Sequence, residues 1–381
     1  MTKIAIIGWY GTETIGDRAI LAGLCHLFCE SFREMDIRLG CLDTLLTERT
    51  IDEDYDFYLK CSSGKLHNIS LFDSRIKKNV DATVDWADLV VIGGGPLMEI
   101  DAMFMLLYAF RKAKKLHKKN VVAGCGMGPF KTERMARVAS EIVDLSDIAV
   151  FRDSKSLEIY RTYSGNNKKA LASIDPAVFA TQCYMNFLEK SNGYDKYIAV
   201  NFREPPVSEY KGLENVGDDF FVRILVDTIN NFDCSVRLVP MHTYWVGDDD
   251  RYLLNRICRK LNRTEIFVYN KPLSLEKTME VYANAECCIG MRFHAVLLQT
   301  FLNGRNYIID YTDPQKGKII NLLNQIGLKS NFNNSNRYIS LVNHPAKTVM
   351  ACPPYEKFNV EKKDIKAFKN VYLDNFLKLQ S

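Results

Sequence analysis

Residues 286–298 read ECCIGMRFHAVLL: an apolar run of strand length ends at Gly290, and a run typical of a helix begins at Ala295. A strand, a glycine and a helix in this order are typical of a βα turn in a parallel sheet. Ligands of such sheets bind beyond the carboxyl ends of the strands, where the loop meets the helix. Arg292 and His294 lie at that junction, so they are candidates for anion binding and proton transfer. A single arginine or histidine at such a place is more often structural, so the other strand ends matter.

The bulk composition is that of an ordinary globular protein. The chain has 381 residues, which is long enough for two domains, with 47% hydrophobic and 25% charged residues. A net charge of +4 is too small to indicate a nucleic-acid partner. It is compatible with an anionic small substrate or with a loose peripheral contact with an acidic membrane surface.

Cysteine usage and the N-terminus both favour a cytoplasmic protein. The 11 cysteines are an odd number, include no CxxC pair and lie mostly in apolar segments, so we expect reduced, buried thiols. Residues 1–8 read as a first strand and not as a signal peptide. No segment approaches the ~20 apolar residues that a membrane span needs.

Further βα units with glycine-rich turns are predicted in the first half. A strand at residues 3–7 leads into a glycine-containing loop and a helix for which Asp17 is the expected N-cap. A strand at residues 87–92 ends in three glycines, among them Gly94 and Gly95. Such glycines let a ligand or another backbone approach closely, or they form an anion-binding nest. We predict no role for residues 44–85.

The second half repeats this rhythm. A strand at residues 197–203 ends in Arg203, and a strand at 235–240 leads to His242. The acidic run at residues 248–250 could bind a metal, but it is better explained as the opening of a helix, where negative charge suits the dipole. The fold class that follows is α/β, with two Rossmann-like domains whose parallel sheets face a cleft.

The predicted division of the chain has three parts. Residues 1–185 form the first domain, residues 186–335 form the second, and residues 336–381 form a tail. The last helix of the tail carries an apolar stripe that needs a surface to cover, so we expect it to pack back on the first domain.

The ordered series of motifs resembles that of the polysaccharide pyruvyl transferase family. The matching segments are residues 8–21, 88–95, 124–129, 151–156, 175–177 and 290–295. Two positions depart from the family pattern: Arg18 stands where an acidic residue is usual, and Phe293 stands where leucine is common.

The resemblance implies a fold similar to that of B-type glycosyltransferases and a pyruvyl transfer reaction. Such enzymes move the enolpyruvyl group of phosphoenolpyruvate to two sugar hydroxyls, forming a cyclic ketal and releasing phosphate. By resemblance, Arg292 and His294 are the catalytic pair and Arg203 binds substrate. Phosphoenolpyruvate is a co-substrate, and neither a cofactor nor a metal is expected. The remaining candidates for substrate binding are Phe293, Gly94, Gly95, Gly290, Asp17 and His242.

The chemistry of the residues agrees with this implication. Phosphoenolpyruvate carries a carboxylate and a phosphate, which arginines bind through planar pairs of donors. Addition of a hydroxyl requires protonation of the enol carbon, for which His294 is the candidate acid. Glycine-lined helix N-termini near Gly94, Gly95 or Gly290 are expected to stabilise the leaving phosphate.

Two other functions remain open from the sequence. One is a B-type glycosyltransferase or a sugar-nucleotide epimerase, and the other is an inactive family member that binds a glycan. The acceptor could be a sugar of a bacterial-type surface polysaccharide, either free or on a lipid diphosphate at the inner face of the membrane. Four aromatic residues could stack on a sugar or simply pack the protein: Trp9, Tyr10, Tyr244 and Trp245.

Overall fold

A computed structural model describes two compact units. The first comprises Met1–Cys183 and Lys362–Ser381, and the second comprises Tyr184–Glu361. The structure describes the chain except for residues 164–169, 189–195, 208–212, 215, 245–247, 344–353, 355 and 380–381. Trp245, a candidate for sugar stacking, therefore lies outside the described residues.

The first unit is built on a parallel sheet with the strand order β3-β2-β1-β4-β6-β7-β8, in which β5 also pairs with β6. Its strands are β1 (Thr2–Tyr10), β2 (Met35–Cys41), β3 (Leu66–Asp73), β4 (Leu89–Gly93), β5 (Pro96–Leu97), β6 (Lys119–Met127), β7 (Ile148–Phe151) and β8 (Ala170–Ala172). Its helices are α1 (Ile15–Ser31), α2 (Thr44–Cys61), α3 (Lys77–Trp86), α4 (Met103–Lys115), α5 (Glu133–Asp144), α6 (Ser154–Tyr163) and α7 (Ala177–Phe187), which runs into the second unit.

Residues 44–85, for which we predicted no role, form α2, β3 and α3 and so complete the edge of this sheet. The periodicity of α2 is weak because its buried face includes polar residues, among them Thr47, Thr50 and Asp54. A pattern that separates only apolar from polar residues therefore does not detect this helix.

The second unit has a parallel sheet with the order β11-β10-β9-β12-β13-β14. Its strands are β9 (Tyr197–Val200), β10 (Ser235–Leu238), β11 (Ile266–Val268), β12 (Cys287–Gly290), β13 (Asn306–Asp310) and β14 (Tyr338–Ser340). Its helices are α8 (Asp218–Phe232), α9 (Asp250–Leu261), α10 (Leu275–Ala283), α11 (Phe293–Leu302), α12 (Lys318–Gln325) and α13 (Lys329–Asn334). The prediction of two parallel-sheet α/β domains is confirmed.

The tail begins later in the chain than the predicted residue 336. Strand β14 pairs with β13, and the second unit extends to Glu361. The final helix, α14 (Lys362–Phe376), packs on the first unit and is followed by a short 3₁₀ turn. The Tyr372 hydroxyl donates to the Ile174 carbonyl oxygen at 2.7 Å, and the Phe376 ring lies 5.3 Å from that of Phe28. No described helix has the length and apolar character that crossing a membrane requires.

Both sheets reverse their strand order at the same place. In the first sheet the reversal lies between β1 and β4, and in the second it lies between β9 and β12. Ligands of doubly wound sheets bind in the crevice beyond the strands at this point. The loops that follow these four strands are therefore the places to look for a site.

Candidate functional site

The turn after β12 has the predicted form of strand, glycine and helix. Strand β12 ends at Gly290, Arg292 is the N-cap residue of α11, and the helix begins at Phe293. A Cβ atom at Gly290 would lie 2.4 Å from Oε1 of Gln299. The glycine is therefore needed for α11 to pack against its own strand.

A buried carboxylate, Asp250, joins the strand ends of the second unit. Its Oδ2 accepts hydrogen bonds from the backbone N–H groups of Met241 (2.9 Å) and His242 (3.2 Å). The Asp250 N–H donates in return to the His242 carbonyl oxygen at 3.1 Å. The acidic run thus opens α9 as predicted, and its last carboxylate also fixes the loop after β10. For His242, a predicted substrate-binding residue, these contacts show a role of the backbone.

The guanidinium of Arg292 pairs with Asp250. Its Nε donates to both carboxylate oxygens, at 2.8 and 3.0 Å, and its Nη2 donates to Oδ1 at 2.6 Å. Its backbone N–H donates to Oδ1 of Asn201, which directly follows β9. We expected this fork to grip a substrate carboxylate or phosphate. It faces Asp250 because a fully buried carboxylate needs a counter-ion.

His294 lies in the first turn of α11 and is more exposed than its two neighbours on the amino side. Arg292 and Phe293 are each 6% exposed, whereas His294 is half-buried. The Phe293 ring packs edge-on against the imidazole at a centroid distance of 5.0 Å. Phe293 therefore limits the orientations that the imidazole can adopt, and it presents little surface of its own to a substrate.

Arg203, three residues after the end of β9, stacks on Tyr311, the residue directly after β13. The guanidinium carbon lies 5.0 Å from the centre of the Tyr311 ring, and Nη1 is 3.3 Å from the phenol oxygen. Nη2 is 3.6 Å from a carboxylate oxygen of Asp248. On α12, the Lys318 ammonium lies 5.7 Å from the same ring. A tyrosine thus stands between two cations at adjoining loops.

The pKa of Tyr311 reports the electrostatic potential at this place. Burial raises the pKa of the phenol, but the positive charges of Lys318, Arg203 and Arg292 outweigh burial, so the pKa lies below its usual value. For Arg203, burial lowers the pKa, but Tyr311 and the nearby carboxylates Asp250 and Asp248 raise it, so the side chain stays charged. Arg203 and Lys318 therefore place positive charge next to Tyr311 at the strand ends of the second sheet.

The glycines after β4 in the first unit accommodate aromatic rings. Gly94 and Gly95 have φ values of +106° and +70°, which favour glycine. A Cβ atom at Gly95 would lie 2.1 Å from a ring carbon of Trp9, and one at Gly94 would lie 3.0 Å from the Tyr10 hydroxyl. The indole Nε1–H of Trp9 donates to the Pro96 carbonyl oxygen at 2.9 Å. Close approach of two aromatic side chains thus accounts for these glycines, whereas the prediction was close approach of a ligand or another backbone.

Asp17 is not the N-cap of the first helix. Helix α1 begins at Ile15, and its N-cap is Thr14, whose side chain accepts from the Asp17 N–H. The Asp17 carboxylate accepts from the hydroxyls of Thr14 (2.5 Å) and Thr12 (3.3 Å). This reciprocal pattern resembles a capping box and stabilises the helix start, which explains Asp17 by local structure.

The family model named "Polysaccharide pyruvyl transferase" matches residues 15–313. The chain belongs to the polysaccharide pyruvyl transferase family. The matched segment includes β9 and β12, between which the second sheet reverses its strand order, but it includes neither β1 of the first sheet nor Lys318. No curated protein matches the chain by sequence.

Solved structures with the same fold include several UDP-GlcNAc 2-epimerases. The enzyme from Neisseria meningitidis bound to UDP-GlcNAc is 11% identical, with 99% of this chain and 100% of that chain covered and a TM-score of 0.57. The enzyme from Rickettsia bellii is 10% identical, with 100% and 96% covered and a TM-score of 0.56. The enzyme from Methanocaldococcus jannaschii is 12% identical, with 98% and 93% covered and a TM-score of 0.52. At these identities they show a shared glycosyltransferase-B-like fold alone.

The departure from the family pattern at Arg18 is balanced within the first unit. The Arg18 Nε donates to Asp54 Oδ2 at 2.5 Å, and Nη2 lies 3.2 Å from Glu53 Oε2. Both carboxylates belong to α2. The positive charge of Arg18 therefore has its own counter-ions within the first unit.

Four residues of this site were not predicted: Asn201, Asp250, Tyr311 and Lys318. Asn201 and Tyr311 directly follow strands, which is a signal that the sequence carries. Asp250 was explained by the helix dipole alone, and Lys318 lies in a polar stretch without a motif. Asn201 and Asp250 contact Arg292, Tyr311 contacts Arg203, and Lys318 lies next to the Tyr311 ring.

Proposed function

We propose that this member of the family transfers the pyruvyl group of phosphoenolpyruvate to two hydroxyls of a sugar, forming a cyclic ketal and releasing phosphate. The observation that carries the proposal is the pair of cations beside the buried Tyr311 ring: the Arg203 guanidinium carbon lies 5.0 Å from its centre and the Lys318 ammonium lies 5.7 Å from it. These groups lie beyond the carboxyl ends of β9 and β13, the strands on either side of β12, and the helix that follows β12 carries His294. Family membership supports the type of reaction.

Phosphoenolpyruvate is a suitable ligand for these two cations because it carries two anionic groups on neighbouring atoms. Arg203 offers planar N–H donors, which match the geometry of a carboxylate or phosphate. Lys318 offers a mobile point charge from the first turn of α12. In the proposal, the anion displaces the weak contact of Arg203 with Asp248 and lies against Tyr311, whose hydroxyl donates to it.

His294 is the proposed acid and base of the reaction. Its proton goes to the methylene carbon of the enol, which becomes a methyl group and leaves an oxocarbenium-like centre that the first sugar hydroxyl attacks. The neutral imidazole then takes up the proton of that hydroxyl. A second hydroxyl displaces phosphate, which leaves with the bond electrons and the last proton. The product is the ketal, and the imidazole is regenerated.

Arg292 and Asp250 act in this proposal by positioning. Their buried ion pair links the loop after β10 to the N-cap of α11, the helix on which His294 lies. We expect the pair to hold the imidazole in place and to contribute positive charge at short range, without direct contact between the Nε–Nη2 edge of Arg292 and the substrate.

The acceptor in this proposal is a sugar of a surface polysaccharide or its lipid-diphosphate-linked precursor. Such a precursor would place the reaction in the cytoplasm at the inner face of the membrane, with a peripheral contact by the protein. The small positive net charge is compatible with such a contact.

The decisive experiment incubates the purified chain with phosphoenolpyruvate and a panel of free and lipid-linked sugars. We expect acceptor-dependent release of phosphate, and mass spectrometry should find the pyruvate ketal on the sugar. Turnover of UDP-GlcNAc without turnover of phosphoenolpyruvate would instead support the epimerase or glycosyltransferase alternative. Glycan binding without any phosphate release across the panel would support an inactive family member.

A further inference from the structure

A cluster of thiols and charged groups lies in the first unit, outside the residues that the proposed reaction uses. Cys183 of α7 and Cys61, the last residue of α2, are hydrogen-bonded to each other through their side chains. His26 of α1 contacts both residues: its Nδ1 lies 3.1 Å from the Cys183 sulfur and 3.3 Å from the Cys61 carbonyl oxygen.

The other nitrogen of His26 determines the direction of these hydrogen bonds. The Lys369 ammonium of α14 lies 2.8 Å from Nε2, and an ammonium can only donate. Nε2 therefore accepts, the proton of the neutral ring is on Nδ1, and Nδ1–H points at the Cys183 sulfur. Glu30, whose carboxylate contacts Lys369 and lies 3.3 Å from Nε2, holds the ammonium in place. The Cys183 sulfur accepts the last hydrogen bond of this series, from the Nδ1–H of His26.

The surroundings of the two sulfurs shift the pKa values of the two thiols in opposite directions. The hydrogen bond with Cys61 lowers the pKa of the Cys183 thiol, burial raises it, and the hydrogen bond from His26 and the positive charge of Lys369 lower it further, so that it lies well below its ordinary value. Burial holds the pKa of Cys61 well above its ordinary value. The titratable groups that face Cys183 are Cys25, His26, Cys29, Cys61 and Lys369. A thiolate next to a thiol is the pair that thiol–disulfide chemistry requires.

Access to the pair is restricted to small molecules. Cys183 is 3% exposed, which excludes bulky electrophiles. His26 contacts the Cys183 sulfur directly, and Lys369 contacts it through His26. The side chains of these two residues are 16% and 19% exposed, so the sulfur lies just beneath the surface. Hydrogen peroxide is small enough to approach a sulfur at this depth.

We propose that Cys183 and Cys61 form a peroxide-reactive dithiol in which His26 and Lys369 support the attacking thiolate. The Cys183 thiolate attacks one oxygen of hydrogen peroxide, and the O–O bond breaks. The second oxygen leaves as hydroxide, which takes up a proton and becomes water. This oxidises Cys183 to a sulfenic acid. The Cys61 thiol then attacks that sulfur, a disulfide forms, and a second water leaves. Two thiols and one peroxide give one disulfide and two waters.

The first test treats the full-length protein with hydrogen peroxide at pH 7, blocks the remaining thiols and maps the peptides by mass spectrometry. We expect a disulfide between residues 61 and 183 in the unaltered protein. Cys61→Ser should give a sulfenic acid on Cys183, which dimedone traps when the oxidised protein is denatured in its presence, and Cys183→Ser should leave Cys61 reduced. Cys287 and Cys288, buried thiols of the second unit whose pKa is raised, are internal controls and should stay reduced. Oxidation of Cys183 no faster than that of Cys287 would overturn the proposal.

A second test separates reactivity from mere exposure. The oxidation rate of Cys183 should be nearly independent of pH between about 7 and 9, because a thiolate is already present. In His26→Gln the pKa of Cys183 should rise above 7, so the rate at pH 7 should fall and should increase with pH; a pKa about one unit above the working pH leaves about a tenth of the thiol ionised, which corresponds to a fall of about tenfold. A thermal unfolding curve verifies that this variant is folded. An unchanged rate and pH profile in folded His26→Gln would remove His26 and Lys369 from the proposal.

Discussion

The two sheets reverse their strand order in the same way, but they fill the reversal differently. In the first sheet, Trp9 and Tyr10 at the end of β1 cover the glycines after β4. In the second sheet, the corresponding strand ends carry Arg203 and Arg292, and Tyr311 beside them experiences a positive potential. At the first reversal the protein's own aromatic rings pack on the glycines, whereas at the second, cations lie at the strand ends.

Topology therefore indicates where a site can form, and the residues at the strand ends determine whether a site forms there. Glycines after a strand are compatible with either outcome. The five predictions that follow test the contrast, starting with the largest expected effect.

His294→Ala should lower kcat for phosphate release by about 10²–10⁴-fold, because it removes the proposed acid and base. Steady-state kinetics with phosphoenolpyruvate and an accepted sugar measure the effect, and thermal unfolding shows whether the variant is folded. His67→Ala, which removes an exposed histidine of β3 in the first unit, is the matched control and should leave kcat unchanged. Turnover close to that of the unaltered protein would exclude His294 from proton transfer.

Asp250→Ala should destabilise the protein by about 3–5 kcal/mol, because it leaves the guanidinium of Arg292 buried without its counter-ion. Chemical denaturation measures the loss in the free energy of unfolding. Asp219→Ala, which removes an exposed carboxylate of α8, is the control and should change stability by less than about 0.5 kcal/mol. Equal stability of the two variants would contradict the positioning role of the pair.

Lys318→Met and Arg203→Lys should raise KM for phosphoenolpyruvate by about 10-fold to 100-fold, since a hydrogen bond to a charged group contributes about 1.5–3 kcal/mol. The effect on kcat should be smaller, because these residues bind the anion in both ground and transition states. Lys316→Met, an exposed lysine two residues before Lys318, is the matched control. A KM that Lys318→Met and Lys316→Met change equally would place the anion elsewhere.

Gly95→Ala should cost about 1–3 kcal/mol of stability, because the new Cβ atom would overlap the Trp9 ring. Gly64→Ala isolates the backbone strain, since Gly64 also has positive φ but has open space around its missing Cβ atom. We expect Gly95→Ala to be the more destabilising change, with KM for phosphoenolpyruvate unaltered. A raised KM without loss of stability would instead indicate a phosphate nest in the first unit.

Inorganic phosphate or phosphoenolpyruvate should raise the pKa of Tyr311 toward its usual value. The cations favour the phenolate, and a bound anion cancels part of their charge, so the protonated phenol regains stability. The difference in phenolate absorbance between the unaltered protein and Tyr311→Phe, titrated with and without anion, measures this shift. A pKa that falls or does not move on adding anion would contradict binding next to Tyr311.

Much of the architecture could be predicted from the sequence because it depends on short-range patterns. Apolar runs of strand length, glycines at their ends and amphipathic helices recur along the chain, and they indicate two parallel-sheet domains. The same short motifs identify the family and locate Arg203, Arg292 and His294 at strand ends. Where a helix buries polar residues, as α2 does, the pattern fails.

The sequence by itself determined the α/β class, the family and the loops in which charged residues follow strands, because these depend on neighbours along the chain. Only the tertiary structure decided the partners of those residues. Arg292 and Asp250 are 42 positions apart, and Arg203 and Tyr311 are 108 apart. A buried carboxylate pairs with a guanidinium that folding places next to it. The pairing therefore depends on how loops that are distant in the sequence pack together, and no local sequence pattern encodes this packing.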